Sequence, residues 1–286
     1  MLRAETSYDA MPRFRAGETG YDVAATLPRP EIGLLLQAGD GEQLESAARA
    51  LQEAVVALTG LPLGVPADFR TEVPDQLSEL QAAGAERFIL LAPDGGESIV
   101  RFVTTARAVQ LPLLPVVDSP LEIPVRQVFS PMLATLLVQM NGDGVLAEGS
   151  VAVCNPGGRW SERIEALRAI STLTGIAAEL VAYDPLANEL PAGSGPGVLF
   201  LTEREAFNHG EAAREAKPDG VFYMLAADPR RSQMMVARNQ VQTAVHPNYA
   251  RMVEVILGEF TEPGEEPLVV APTVVQTAPQ PRAVGP

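Results

Sequence analysis

Short apolar runs alternate along this chain with longer stretches whose apolar positions recur every three or four residues. Ile32 to Leu36 is the first run and reads as a strand. A helix from Glu42 to Thr59 follows, with Leu44, Ala47, Ala48, Leu51, Val55 and Leu58 on one stripe and Gly60 placed to end it. The pattern continues as strand Leu61 to Val65, helix Val73 to Ala83, strand Phe88 to Leu91 and helix Glu97 to Val109. Strands Leu111 to Val117 and Val125 to Val128 come next, then a helix from Pro131 to Met140. The second half repeats the alternation. It gives strand Val151 to Cys154, helix Trp160 to Leu173, strands Ala178 to Ala182 and Val198 to Thr202, and helix Glu205 to Ala216. Strands Val221 to Leu225 and Val241 to Val245 and helix Pro247 to Phe260 complete it. Strands separated by helices imply mainly parallel sheets flanked by helices.

The two halves also echo one another. Leu34 to Leu36 breaking into Gly39 and Gly41 matches Val151 to Cys154 breaking into Gly157 and Gly158. Leu58-Thr59-Gly60 matches Leu173-Thr174-Gly175. Phe88, Leu91, Ala92 and Asp94 are matched with Phe222, Leu225, Ala226 and Asp228. Ser130-Pro131 and His246-Pro247 each open an apolar helical stretch. The expected fold class is therefore α/β, with two similar domains, residues 31–143 and 144–260, each a mainly parallel sheet flanked by helices. Residues 1–30 are expected to be a flexible lead-in and 261–286 a disordered tail, since periodicity fails in both.

Composition narrows the classes. The net charge of −15 disfavours a nucleic-acid partner, which needs a basic surface. No apolar run is long enough for a membrane helix, and the first residues lack a signal-peptide core, so a cytoplasmic, non-membrane protein is expected. The one cysteine, Cys154, cannot form an intrachain disulfide.

Ligands of open α/β sheets gather at the carboxyl ends of strands. Gly39-Asp40-Gly41 lies at such a place but lacks the third glycine of the dinucleotide fingerprint, so no nucleotide cofactor is expected. Asp94 and Glu97, hinged by Gly95 and Gly96, suit either a divalent cation and proton transfer or a solvated turn opening a helix. Asp228, Arg230 and Arg231 offer either a clamp for carboxylates or an exposed loop. His209 reads as structural or solvent-facing in preference to a ligand. His246 suits a helix cap or a metal ligand, with capping preferred because its counterpart Ser130 is an ordinary cap residue.

Two stretches resemble the small tetrapyrrole chelatases of the cobalt and sirohydrochlorin type. They are Gly84-Ala85-Glu86-Arg87-Phe88-Ile89-Leu90-Leu91-Ala92-Pro93 and Val245-His246-Pro247-Asn248-Tyr249-Ala250-Arg251-Met252-Val253. The family's first catalytic histidine position is held here by Ala38, and its second falls at Glu97 or Ser98. The resemblance implies insertion of a divalent metal substrate (cobalt, nickel or iron) into a tetrapyrrole of siroheme or cobalamin biosynthesis. Glu97 and His246 would be catalytic, Asp94 and Glu97 would hold the metal, and Arg101 and Arg231 would grip the tetrapyrrole. The alternative it leaves is a non-catalytic tetrapyrrole- or metal-binding protein on the same scaffold.

Overall fold

A computed structural model describes residues 30–37, 41–92, 97–117, 127–187, 190–191, 193–261 and 266–277. They build two α/β lobes. The first half contributes β1 (Ile32–Leu36), α1 (Gly41–Thr59), β2 (Leu63–Gly64), α2 (Val73–Ala82), β3 (Arg87–Leu91), α3 (Glu97–Ala108), β4 (Leu113–Val117), β5 (Val128–Phe129) and α4 (Met132–Gly142). The second contributes β6 (Val151–Cys154), α5 (Ser161–Thr174), β7 (Leu180–Tyr183), β8 (Gly197–Phe200), α6 (Glu203–Ala216) and β9 (Val221–Leu225). It ends with α7 (Pro229–Ala237), β10 (Thr243–His246), α8 (Tyr249–Thr261), β11 (Leu268–Val269) and β12 (Thr273–Gln276).

Each lobe holds a six-stranded sheet, ordered β11-β5-β4-β3-β1-β2 in the first and β12-β10-β9-β8-β6-β7 in the second. Among the described residues all strand pairings are parallel except β10 with β12. Parallel strands covered on both faces must be apolar throughout, and β1, β6 and β8 are buried at every position. The two-domain α/β expectation holds. Gly60 and Gly175 follow α1 and α5 at φ +72° and +68°, so the equivalent helices stop by the same left-handed residue.

The helices do not stay with the half that encodes them. The Tyr249, Met252, Val253 and Ile256 side chains of α8 pack with Leu51 and Val55 of α1 on the first sheet. Leu133, Leu136 and Met140 of α4 pack with Ile164 and Leu167 of α5 on the second sheet. The chain thus crosses between lobes after Ser130, after His246 and a third time between β11 and β12; at the first two crossings each half lends its last helix to the other. Burial of these apolar faces is what holds the exchanged helices in place.

Three expectations need correction. Equal topological position pairs β3 with β8 and β4 with β9, so matching Phe88 to Phe222 was out by one strand; adjacent buried strands carry the same Phe-and-Leu signature. The supposed loop around Asp228 to Arg231 is the start of α7. The stretch expected to be a tail supplies β11 and β12, whose hydrogen bonding to β5 and β10 compensates for its lack of helical periodicity.

Candidate functional site

Carboxyl ends of strands from both sheets and the crossovers after Ser130 and His246 meet between the lobes. Two neighbouring cavities lie there and share Pro247 and Tyr249 in their walls. The smaller, about 60 Å³, is lined chiefly by apolar side chains such as Leu91, Val117 and Leu225, with Ser130 and Arg163 as its polar members. The larger, about 330 Å³, runs between α1 of the first lobe and the α7 start, the β10 end and β12 of the second. That volume lies in the range of small-molecule pockets, about 300–1,000 Å³.

Charged and polar groups of both lobes face the larger groove. Arg49 and Glu53 stand one helical turn apart on α1, Asp228, Arg230 and Thr273 come from the second lobe, and Asn248 lies where the chain crosses into α8. Arg230 Nη2 donates to Glu53 Oε2 at 2.8 Å, an ion pair that spans the lobes. Asp228 caps α7, its Oδ1 accepting from the Arg230 N–H at 2.8 Å. Asn248 caps α8 by accepting from the Arg251 N–H at 3.1 Å, so capping falls to Asn248 and not to His246.

His246 is 5% exposed and closes the end of β10. Its Nδ1 lies 2.9 Å from the Pro247 carbonyl oxygen, which can only accept, so Nδ1 carries the proton. Nε2 is left as an acceptor, buried and without a hydrogen-bond partner. Burial holds the imidazole pKa below its ordinary value, against smaller opposing effects of the Pro247 carbonyl and Asp228, which keeps the ring neutral. The counterpart crossover residue, Ser130, is 2% exposed, and its hydroxyl also lacks a partner. It does not cap α4, whose N-cap is Pro131.

The β9–α7 turn beneath the groove is braced from within. Glu203, at the start of α6, is 5% exposed and accepts from the backbone N–H groups of Ala227 and Asp228 at 2.6 and 2.7 Å. Desolvation raises its pKa, partly opposed by those donors and by Arg231. The Tyr249 hydroxyl donates to the Ala227 carbonyl at 2.7 Å and ties α8 to the same turn. Glu203 was missed in the sequence because the echo was read one strand out of register. It is Glu203 that stands in the second lobe where Glu97 stands in the first, at the start of the helix after the third strand.

The remaining sequence candidates lie apart. Glu97 and Arg101 form an exposed pair on α3, with side chains 88% and 78% accessible. Arg231 lies 3.8 Å from Asp228 and lines a different groove with Glu203, Phe207 and Met234. Asp94 and Ala38 lie outside the described residues. Among the described residues no group of three or more His, Cys, Asp or Glu side chains could hold a metal ion. Cys154 is buried, and desolvation pushes its thiol up to about 12, which makes it inert. No helix of the described residues is long and apolar enough to cross a membrane.

No family model matches the chain, and no curated protein does. Solved structures do match. A Lac repressor bound to ONPG superimposes with a TM-score of 0.62 at 14% identity, over 91% of this chain and 85% of that one. A LacI transcriptional regulator from a Rhodococcus species gives 0.61 at 17% identity, over 86% and 96%. An ABC sugar transporter subunit from Rhodobacter sphaeroides 2.4.1 gives 0.58 at 14% identity, over 88% and 99%. The fold is the two-lobed one of these transporter subunits and repressors. Chelatases are not what the solved neighbours are, so the tetrapyrrole partner, the metal substrate and the siroheme or cobalamin role are all corrected by this finding. The misleading signal was physical: a doubled α/β unit with His-Pro before its last helix is compatible with more than one two-lobed architecture.

Proposed function

We propose that this chain is a non-catalytic binding protein that holds a polar, hydroxyl-bearing small molecule between its lobes. The observation that carries the reading is the His246 Nε2 acceptor, buried and unpartnered at the wall of a 330 Å³ groove built by both lobes. A buried acceptor without a donor costs stability, on the order of 1–3 kcal/mol, and a ligand hydroxyl would remove that cost. The solved neighbours support the class of ligand, since one, an ABC transporter solute binding protein from Agrobacterium vitis, has bound allitol. Scarcity of catalytic groups agrees with binding: beside its neutral imidazole the groove lining offers the hydroxyls of Ser46, Thr273 and Tyr249, the last already donating to the Ala227 carbonyl.

A thermal-shift panel of sugars, polyols and sugar acids tests this on the full chain. Ligand at about a hundred times its Kd adds about 2.7 kcal/mol of stability, several degrees of Tm for a chain of this size. The shift should vanish in Ala50→Trp, which fills the groove from α1. A panel without effect, together with no small molecule released on denaturing freshly purified protein, would overturn the reading.

A further inference from the structure

The groove has a charge balance of its own. Glu53 is neutralised by Arg230 across the lobes, and Asp228 is engaged by the α7 N-terminus and by Arg231. Arg49 is the remaining charged side chain in the lining, exposed on α1 and without an ion pair among the described residues. A guanidinium in this position is an unmatched cation that suits a planar carboxylate, which it can hold through two parallel hydrogen bonds. Opposite it, His246 Nε2 requires a donor, because the Pro247 carbonyl fixes the proton on Nδ1. One wall of the groove therefore asks for an anion and the other for an O–H or N–H.

Resting on the binding reading above, we infer that the ligand is a small carboxylate bearing a hydroxyl or amino group, its carboxylate on Arg49 and its O–H or N–H donated to His246. A neutral sugar satisfies only the second demand, and a simple alkanoate only the first. Asn248 and Thr273 add neutral hydrogen-bonding groups, which suit further hydroxyls without adding charge. The apolar neighbouring cavity, at about 60 Å³, is too small to take the polar body of such a molecule.

Isothermal titration of the full chain with D-gluconate, L-threonine, D-glucose and butyrate separates the demands. Gluconate or threonine should bind at least tenfold more tightly than glucose and butyrate. Arg49→Ala should remove that preference by weakening the acid at least tenfold while leaving glucose unchanged. His246→Leu should weaken the acid by a similar factor, and His246→Gln, which restores a neutral acceptor, should recover most of it. Tighter binding of glucose than of gluconate and threonine would overturn the carboxylate assignment while leaving the binding reading intact. Acid binding that is indifferent to Arg49→Ala and His246→Leu would overturn the site. Silence from all four probes overturns this inference, and the wider panel and released-ligand analysis then decide the binding reading separately.

Discussion

Ser130 and His246 occupy the same place in two copies of one architecture, yet they face unlike surroundings. Ser130 directly follows the fifth strand of its half and His246 ends that of the other; each precedes a proline and starts the crossing of a helix into the opposite lobe. Around Ser130 the chain closed the space with leucine and valine and left about 60 Å³. Around His246 it kept about 330 Å³ and surrounded it with charge. The two halves share one strand order and so offer equivalent interlobe positions, and their unlike neighbours make one a packed joint and the other an open groove. The backbone alone does not make a site; what lines it does.

The exchange of helices offers the strongest way to probe that symmetry. Ile256 is fully buried in the first lobe although the second half encodes it, and Leu136 is fully buried in the second although the first half encodes it. Truncating either to alanine should cost about 2–5 kcal/mol, as a buried aliphatic side chain does. The diagnostic is where the cost falls. In Ile256→Ala, hydrogen exchange should quicken first in β1 and β3; in Leu136→Ala it should quicken first in β6 and β8. Acceleration in the lobe encoded by the same half would mean that the crossings are not what joins the lobes.

Acid should separate the two crossover positions next. The folded His246 pKa lies below that of the unfolded chain, about 6.5. As pH falls below that value the unfolded state takes up a proton that the folded state refuses, so stability is lost. Arg49 and Glu53 of α1, Arg230 of α7 and its N-cap Asp228 line the same groove as the ring, and Asp228 opposes the shift without reversing it. Glu203 has the opposite sign, because its raised pKa makes the buried carboxylate most costly at neutral pH and relieves it on acidification. His209 is also depressed by burial and leaves a residual acid loss. Denaturant unfolding of wild type and His246→Leu between pH 7 and 5 should therefore show a shallower decline in the variant. Equal slopes would show that Nε2 is solvated rather than sequestered.

Much of this arrangement was legible in the sequence, and the failures have definite causes. Strands buried on both faces announce themselves, so Ile32–Leu36, Val151–Cys154 and Val221–Leu225 agree with their expected limits. The α7 helix went unseen because Asp228-Pro229-Arg230-Arg231 opens it with polar residues and too few apolar positions to show a period. The β11 and β12 strands are short edge elements, three of their six positions are exposed and none is buried, so no apolar run marks them. His246 was visible as one of only two histidines, but its partners were not. Arg49 and Glu53 look like any solvated pair on the polar side of α1 until α7 and β12 are brought against them. The exchange of helices leaves no local trace at all, because α4 and α8 bury the same kind of stripe in whichever lobe receives them.

The smallest expected effect bears most directly on the difference between the crossovers. Ser130 Oγ is buried in an apolar cavity without a hydrogen-bond partner. Removing a buried hydroxyl that bonds to nothing relieves its desolvation and loses few contacts, so Ser130→Ala should leave stability unchanged or raise it by up to about 1 kcal/mol. The same variant should leave binding in the larger groove untouched, because Ser130 is not in its lining. Urea unfolding together with a gluconate titration reads both. Were Ser130→Ala to weaken binding as His246→Leu does, the small cavity would belong to the ligand site, and the two crossovers would have diverged in size but not in role.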